Sequence, residues 1–327
     1  MNSTTGWVVS NVATIFATTD GGSTWTAQTS GTSNPLLDVH FVNSTTGWAV
    51  GANGEVRVTT NGGSTWSGQT SGVAISLNGV FFTDASNGWA VGASGVIRAT
   101  TNGGSTWSGQ TSGTAEILND VYFADANNGW AVGNSGTILT TTNGGSTWSA
   151  QISGTTDGLY GVSFVSASIG WAVGGDSRGG TQAILKTTNG GSTWTAQTGT
   201  TDELIGVAFV DSNTGWVVSN TPAILATTNG GSTWATQAPG TANALDAVSF
   251  IDATTGWAVG DAGTILKFTG AAGSSSTGNP RAPLSFIEQQ RRLALHLTPN
   301  TPSAARVLPL TCSNGDCPLD IEFTYDP

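Results

Sequence analysis

The sequence has few charged side chains, and basic ones are the scarcest. Charged residues make up 9% of the 327 positions, with 9 Lys and Arg against 20 Asp and Glu, so the formal net charge is −11. A chain this acidic cannot neutralise nucleic-acid phosphates, which excludes the common mode of DNA or RNA binding. Its field favours cations and basic peptides as partners and repels anionic membranes, although solubility alone would also explain the charge.

Cysteine, histidine and long apolar runs are scarce as well. Cys312 and Cys317 are the only cysteines, and His40 and His296 are the only histidines. This argues against a zinc site and against a His-based catalytic triad. No segment approaches the roughly 18 apolar residues of a membrane-spanning helix, and no signal peptide is recognisable at Met1. We expect no membrane span, no metal and no cofactor, with Ca²⁺ the one ion that the acidic composition leaves open.

Glycine and tryptophan are abundant by contrast, and a repeat of 41 residues explains both. All 13 tryptophans belong to two recurring motifs. The dipeptide Gly-Trp places Trp7, Trp48, Trp89, Trp130, Trp171, Trp216 and Trp257. The motif Thr-Thr-Asn-Gly-Gly-Ser-Thr-Trp, with Asp in its first copy, places Trp25, Trp66, Trp107, Trp148, Trp194 and Trp234.

Each repeat predicts four short strands. Strand A carries Leu-x-x-Val-x-Phe, strand B is Gly-Trp-Ala-Val-Gly, strand C precedes Thr-Thr, and strand D starts at the second tryptophan. Period-2 patterning between Gly-rich turns indicates strands, and four per repeat form a propeller blade. Seven B and seven C strands against six A and six D predict an all-β, seven-bladed β-propeller over residues 1–269. An open stack is the alternative, but it leaves exposed sheet edges at both ends.

The second motif resembles the Asp-box, a turn between strands C and D. Its Asn or Asp is expected to bond turn amides, its glycines to adopt positive φ, and its tryptophan to fill the space between sheets. These structural residues are Asp20, Asn61, Asn102, Asn143, Asn189 and Asn229, with the six tryptophans of the same motif.

The complete repeat is similar to the photosystem II stability/assembly-factor family, which also has many secreted bacterial members. The resemblance covers residues 1–270 and implies a seven-bladed propeller of antiparallel four-stranded blades. Photosynthetic members carry Lys and Arg where this chain has, for example, Ser64 and Val58. Most of the basic surface that those members present to their partner is therefore missing here.

Sequence variation between repeats points to one face of the propeller. The D–A and B–C connections share that face, and the D–A segments differ between otherwise near-identical units. We predict an acidic mouth there that takes a cation, a basic peptide or a glycan, the alternative being solvated surface. The candidate ligand-binding residues are Asp38, Asp120, Tyr160, Asp176, Arg178 and Asp246.

The C-terminal part departs from the repeat. A Gly/Ser-rich linker spans 270–280, and the extension 281–327 includes a turn that a Cys312–Cys317 disulfide would staple. A disulfide favours a secreted, periplasmic or cell-surface protein. Pro318–Phe323 mirrors Leu36–Phe41, so we predict that it supplies the missing A strand of the first blade.

These observations favour a non-enzymatic, extracytoplasmic binding or scaffold propeller with a protein or glycan partner. No catalytic residues are expected. An Asp-box glycan hydrolase is the alternative from another class, and a self-assembling structural subunit is the third. Fold alone does not choose among them.

Overall fold

The computed structural model is a seven-bladed all-β propeller, as the repeat predicts. It describes residues 4–175, 183–198, 202–237 and 239–269, together with strands at 294–295, 307–312 and 321–323. Within these residues the only helices are single 3₁₀ turns at Ala52–Gly54, Ala93–Gly95 and Asp261–Gly263. None of the described helices is long and apolar enough to cross a membrane.

Blades two to six each contain four antiparallel strands in the order A-B-C-D. Blade two is β4–β7 (Leu36–Phe41, Gly47–Gly51, Glu55–Thr59, Ser67–Thr70), and blade three is β8–β11 (Leu77–Phe82, Gly88–Gly92, Ile97–Thr100, Ser108–Gln110). Blade four is β12–β15 (Leu118–Phe123, Gly129–Gly133, Ile138–Thr141, Ser149–Gln151). Blade five is β16–β19 (Gly158–Phe164, Gly170–Gly175, Ala183–Thr187, Thr195–Ala196), and blade six is β20–β23 (Leu204–Phe209, Gly215–Ser219, Ile224–Thr227, Ala235–Gln237).

Blades one and seven differ from this plan. Blade one contains the B, C and D strands β1–β3 (Gly6–Ser10, Ile15–Thr18, Thr26–Gln28), and blade seven contains the A, B and C strands β24–β26 (Leu245–Asp252, Thr255–Gly260, Thr264–Thr269). The strands β27 (Ala294–Leu295), β28 (Val307–Cys312) and β29 (Ile321–Phe323) join these two blades from the C-terminal extension.

The core lies between the blades rather than inside one sheet. All five residues of the B strand Gly47–Gly51 are buried, because both faces of the strand are covered by neighbouring sheets. Its glycine leaves room for a ring from strand A: a Cβ on Gly47 would lie 2.5 Å from Phe41. The D strand Ser67–Thr70 is largely exposed, which places the polar residues of each repeat at the outer rim.

The turns between strands C and D, which we call the C–D turns, are held by their own side chains. In blade two the Asn61 Oδ1 accepts from the Thr65 amide at 3.0 Å, and the Thr59 hydroxyl accepts from the Gly63 amide at 2.8 Å. Gly63 has φ +89°, a conformation that glycine adopts without strain. The same bonds recur with Asn102, Asn143, Asn189 and Asn229, and with Asp20 in blade one.

The contacts between successive blades are called here joints, and the one between blades two and three is built from three aromatic rings and a glutamine. Trp48 of blade two stacks on Phe82 of blade three at 3.5 Å, and Trp107 meets that Phe edge-on at 5.8 Å. The Trp48 indole donates to the carbonyl of Gly103 at 3.0 Å, and Gln69 Nε2 donates to the same carbonyl at 2.8 Å. The second motif's tryptophan therefore joins its blade to the preceding one.

The ring is closed by direct packing of blade seven on blade one. Val8 lies in one apolar cluster with Trp257, Val259 and Ile265. This confirms the closed ring over an open stack.

The prediction that the C-terminal extension completes blade one is confirmed, because Ala294–Leu295 is the first strand of that sheet. The prediction that Pro318–Phe323 supplies this strand is wrong. Ile321–Phe323 pairs antiparallel with β28, and β28 lies parallel to β26 at the outer edge of blade seven. The extension does reach blade one, but through Ala294–Leu295, which pairs parallel to β1. A residue pattern sets which face of a strand is apolar but does not choose its partner, and a nearby antiparallel strand is reached with less loss of chain entropy. The linker 270–280 and Cys317 lie outside the described residues, so the Cys312–Cys317 disulfide stays a prediction.

Candidate functional site

The strand connections form two faces of the ring. In blade two the Ala52 amide donates to the Pro35 carbonyl at 2.9 Å, which joins the B–C turn to the D–A segment. On the opposite side the Gly62 amide donates to the Thr45 carbonyl at 2.8 Å, which joins the C–D turn to the A–B turn. We call the first the mouth face and the second the turn face.

A cavity of about 280 Å³ lies in the central channel. Its walls are the inner strands of blades two to seven. Every one of these strands contributes the residue that follows its first leucine, called here the second residue of the Leu-x-x-Val-x-Phe pattern. These second residues are Leu37, Asn78, Asn119, Tyr160, Ile205 and Asp246.

The residue after the first leucine is one of the positions at which the inner strands differ. The Leu before it, and the Val and Phe after it, recur in all six strands. The second residue is half-buried in each blade, whereas the flanking Leu is buried. The cavity is therefore lined by aliphatic, amide, phenol and carboxyl groups at equivalent positions. Such a lining can bind a ligand without rotational symmetry.

Asp38 and Asp120 line the cavity but are committed to the fold. They are 1% and 4% exposed. Asp38 Oδ2 accepts from the Val80 amide of blade three at 2.7 Å, and Asp120 Oδ2 accepts from the Val162 amide of blade five at 2.8 Å. Each carboxylate therefore bridges its blade to the next one, where a glycine follows the variable residue instead of an Asp.

The other candidate residues fall in two groups. Tyr160 and Asp246 line the cavity and are half-buried, on blades five and seven. Asp176 and Arg178 lie outside the described residues. The structure thus brings together four of the six candidates in one channel, and two of those four already bond to backbone amides.

The amides that line the channel also join blades. Asn78 Nδ2 donates to the Leu118 carbonyl of the next blade at 3.0 Å, and Asn119 Nδ2 donates to the Leu159 carbonyl at 2.8 Å. Both residues therefore stabilise the ring as well as lining the channel.

A row of rings in the channel wall was missed at the level of sequence. His40 lies 4.6 Å from Phe81, and Phe81 lies 5.0 Å from Tyr122, measured between ring centroids. The three residues are spaced by one repeat length each and occupy the fifth position of strand A. This equal spacing could have identified the row of rings from the sequence.

Acidic side chains form an arc on the mouth face of blades four to six. Glu116, Asp157 and Asp202 each stand two residues before the first Leu of an inner strand, and each is half-buried. Glu203 follows Asp202 and accepts a hydrogen bond from the Asn220 amide group. We call Glu116, Asp157, Asp202 and Glu203 the acidic arc.

The two arginines of blades two and three belong to the fold. Arg57 Nε donates to Glu55 Oε1 at 2.6 Å, and Arg98 Nε donates to the Ser71 carbonyl at 2.7 Å. Both guanidinium groups therefore have structural partners, and Glu55 is part of an ion pair.

Acids on the turn face are held by their own turns. The Asp84 carboxylate accepts from the amides of Ser86 and Asn87 at 2.7 and 2.9 Å. Burial raises the pKa of Asp84, but the bonds from Asn87 and Ser86 together outweigh it, so the pKa lies below its ordinary value. Asp125 repeats the arrangement in blade four.

In the described part of the chain, no group of three or more His, Cys, Asp or Glu side chains is arranged to hold a metal ion. The site consists of the channel cavity, its six variable side chains and the acidic arc above it.

A family model described as photosynthesis system II assembly factor YCF48 matches five overlapping segments of the chain. The segments are residues 25–111, 70–150, 109–197, 153–236 and 195–277. Together they run from residue 25 to residue 277, well over half of the 327 residues. No curated protein matches the chain in sequence.

Solved structures share the propeller fold. YCF48 bound to D1 peptide is 23% identical, with a TM-score of 0.58 over 72% of this chain and 77% of that one. YCF48 from Cyanidioschyzon merolae is 21% identical, with a TM-score of 0.62 over 78% and 88%. The GH74 xyloglucanase from Xanthomonas campestris is 13% identical, with a TM-score of 0.62 over 76% of this chain and 48% of that one. Likeness at these identities shows the fold alone.

Proposed function

The chain belongs to the YCF48 assembly-factor family, and we propose that it is a non-enzymatic propeller that binds a peptide segment of a partner protein at the mouth face. The observation that carries this proposal is the cavity lined by inner-strand positions that vary between repeats, although the Leu, Val and Phe of the same strands recur in all six. Core packing does not dictate the side chain there, since the residue after the first leucine is only half-buried in each blade.

The acidic arc gives the partner its chemistry. Four carboxylates on three neighbouring blades create a negative potential at one side of the cavity. A segment with Lys or Arg would be steered there, and its neighbouring side chains would enter the cavity past Tyr160 and Ile205. YCF48 has been solved with a D1 peptide, so peptide binding has a precedent in this family.

The burial and the backbone hydrogen bonds of Asp38 and Asp120 favour binding over hydrolysis as the function. A glycoside hydrolase needs two carboxyl groups that flank the substrate at about 5 to 10 Å from each other. Asp38 and Asp120 are buried, and each already accepts a backbone hydrogen bond. Carboxylates that already accept a hydrogen bond from the next blade stabilise the joints between blades.

The experiment is a selection of displayed random peptides against the intact protein, followed by measurement of the enriched peptides by fluorescence anisotropy. We expect the enriched peptides to be basic. The triple variant Glu116→Gln, Asp157→Asn, Asp202→Asn should weaken their binding by about tenfold and reduce its salt dependence.

The matched control changes three acids on the turn face: Asp84→Asn, Asp125→Asn and Asp211→Asn. It removes the same amount of charge and keeps an oxygen that can accept the turn bonds. This control should leave binding unchanged. Enriched peptides without basic residues, or equal losses in both triple variants, would refute the proposed mouth-face site.

We place the protein outside the cytoplasm as part of the same proposal. The support is the predicted bridge between Cys312 and Cys317, since such bridges persist in oxidising compartments. Alkylation of the purified, unreduced chain tests it: one bound label per thiol would show that the bridge is absent.

A further inference from the structure

A groove of about 730 Å³ lies beside strands C and D of blade four, and we call it the blade-four groove. The D–A segment before the blade lines it with Gly113 and Thr114, and the blade itself lines it with Leu139 and Ala150, which pair across strands C and D. The D–A segment after the blade adds Asp157, the groove's one carboxylate, and no Lys or Arg lines it. The groove therefore meets the acidic arc at Asp157 but shares no residue with the channel cavity.

The two preceding blades show what side chain fits such a place. Arg57 and Arg98 hold, in blades two and three, the strand C position that Leu139 holds in blade four. The Arg98 Nε donates to the carbonyl of Ser71, in the D–A segment before its blade, at 2.7 Å. The guanidinium of Arg98 therefore lies between that segment and its own blade, where blade four has its groove.

A glycine in the same D–A segment shows the difference between these blades. An added Cβ on Gly31 would lie 3.3 Å from the guanidinium of Arg57, and one on Gly72 would collide with that of Arg98. An added Cβ on Gly113 would meet nothing within 4 Å among the described residues. Because leucine is shorter than arginine, strand C of blade four does not reach its D–A segment as strand C of blade three does.

The blade-four groove also has an apolar rim. Ile152 lines it and is 89% exposed, the highest exposure among the large apolar side chains that the structure describes. Blades two and three have Thr70 and Thr111 at this position. An isoleucine at the rim can cover the methylene stem of a long basic side chain, whose charged end then lies deeper in the groove.

We propose that the blade-four groove binds an arginine side chain of the partner segment. The guanidinium donates to the carbonyl of Ser112, the equivalent of Ser71, and approaches the carboxylate of Asp157, while its stem packs on Ile152. A guanidinium binds backbone and carboxylate oxygens through a planar fork of donors, which a lysine ammonium does not have. This inference rests on the function proposed above, and it names one residue of the segment and the place where that residue binds.

The first test titrates the intact protein with two capped tripeptides, Gly-Arg-Gly and Gly-Lys-Gly, and follows its amide signals by nuclear magnetic resonance. We expect the arginine probe to shift the signals of Gly113, Thr114 and residues 150–153 saturably. The lysine probe should bind about fivefold more weakly, because it lacks the fork. Equal binding of the two probes, or shifts that leave these signals unchanged, would refute the arginine site.

The second test fills the groove from within. The double variant Leu139→Arg, Ala150→Gly gives blade four the cross-strand pair that blade three has in Arg98 and Gly109. Its own guanidinium then reaches the Ser112 carbonyl, so binding of the arginine probe should fall about tenfold or more. Binding that stays unchanged in this folded variant contradicts the proposal.

The matched control is Thr140→Lys. It adds the same charge at the next position of strand C, whose side chain points to the opposite face of the sheet, and blade five has Lys186 at the equivalent place. Binding of the arginine probe should stay within about twofold of that of the unchanged protein, since screened charge alone contributes little. A loss equal to that of the double variant would show that charge, and not occupation of the groove, is responsible.

Two further variants complete the design. Ile152→Thr restores the residue of blades two and three at an exposed position, so it leaves the fold intact even where the double variant does not. It should weaken the arginine probe about threefold through lost cover of the stem, and no loss would argue against the site. Glu116→Gln with Asp202→Asn keeps Asp157 and should weaken the selected basic peptides but not the arginine probe. Failure of that weakening with intact probe binding refutes the proposed function alone, and the reverse result refutes only the arginine site.

Discussion

The joints on one side of the ring are complete, and those on the other side are not. From blade one to blade five, both tryptophans of every joint donate a hydrogen bond, as Trp89 and Trp148 do at the joint between blades three and four. From blade five round to blade one, four indole nitrogens are buried with no partner among the described residues. They belong to Trp234, Trp216, Trp257 and Trp25.

The two sides differ because a joint needs parts from both blades. Trp130 donates to the Gly190 carbonyl in the C–D turn of the next blade, and Trp194 of that turn donates back to Gln151. Blade seven shows no such turn among its described residues, and Phe268 takes the place of the edge-on tryptophan at 5.4 Å from Phe250. Repeats in the middle of the array therefore form complete joints, whereas the joint between the two end units lacks some of these contacts among the described residues.

The largest effect is expected when a Gly-Trp tryptophan is replaced by alanine, once on each side of the ring. Trp130→Ala removes a stacked ring, a bond to Gly190 and a side chain that is 2% exposed, so we expect a loss of about 3 to 5 kcal/mol. Trp257→Ala removes no stacked pair and no hydrogen bond to the described residues, so it should cost less, about 3 kcal/mol or below. Calorimetric thermal unfolding of both variants measures the difference.

Phenylalanine at the same positions isolates the hydrogen bond. Trp130→Phe leaves the Gly190 carbonyl with one donor fewer, whereas Trp257→Phe removes a buried N–H that has no partner among the described residues. The second variant should therefore be the less damaging one. A Trp257 variant that is as destabilised as its Trp130 counterpart would overturn the contrast between the two sides.

The repeat allowed most of the fold to be predicted, because each strand is set by a local pattern. Gly-Trp-Ala-Val-Gly at fixed intervals predicts buried B strands, and the count of such units gives the number of blades. The glutamine three residues after Trp66 and its equivalents was also visible at every repeat, as Gln69 and Gln110 show. Its role in the joint needs the neighbouring blade and so was not predicted.

The candidate site was predicted only in part, for a related reason. Sequence placed Asp38 and Asp120 at the channel, but a carboxylate there can face water or the next blade. The choice depends on residues about one repeat away, since Val80 and Val162 are the donors. The prediction for Pro318–Phe323 was wrong for a similar reason. Ile321–Phe323 has the pattern of strand A, but the separation along the chain decides which strand it pairs with.

The effect of intermediate size is expected from Asp120→Ala. This substitution gives a complete joint the residue that blade seven has at the same strand position. Ala247 of blade seven occupies the strand position at which blade four has Asp120. Asp120→Ala leaves the buried Val162 amide without its acceptor, which should cost about 1 to 3 kcal/mol. Asp120→Asn keeps an oxygen in place and should recover most of that stability. Urea unfolding compares the two variants. Similar losses in both would mean that charge, and not the hydrogen bond, is what the joint requires.

The smallest effect is expected from Asp20→Asn, which gives the C–D turn of blade one the residue that the other copies have. Asp20 replaces the Asn of the other copies, and bonds from the Thr24 side chain and amide and from Thr18 lower its pKa to about 2. Because the folded pKa lies below the ordinary value of 3.8, this carboxylate stabilises the fold above about pH 4 and loses that contribution as the pH falls towards 2. Asp20→Asn retains the acceptor for the Thr24 amide, so its melting temperature should match that of the unchanged protein near neutral pH and fall less between pH 4 and 2. Parallel melting curves across that range, with no change in slope, would show that the Asp20 turn does not contribute to acid sensitivity at the closing side of the ring.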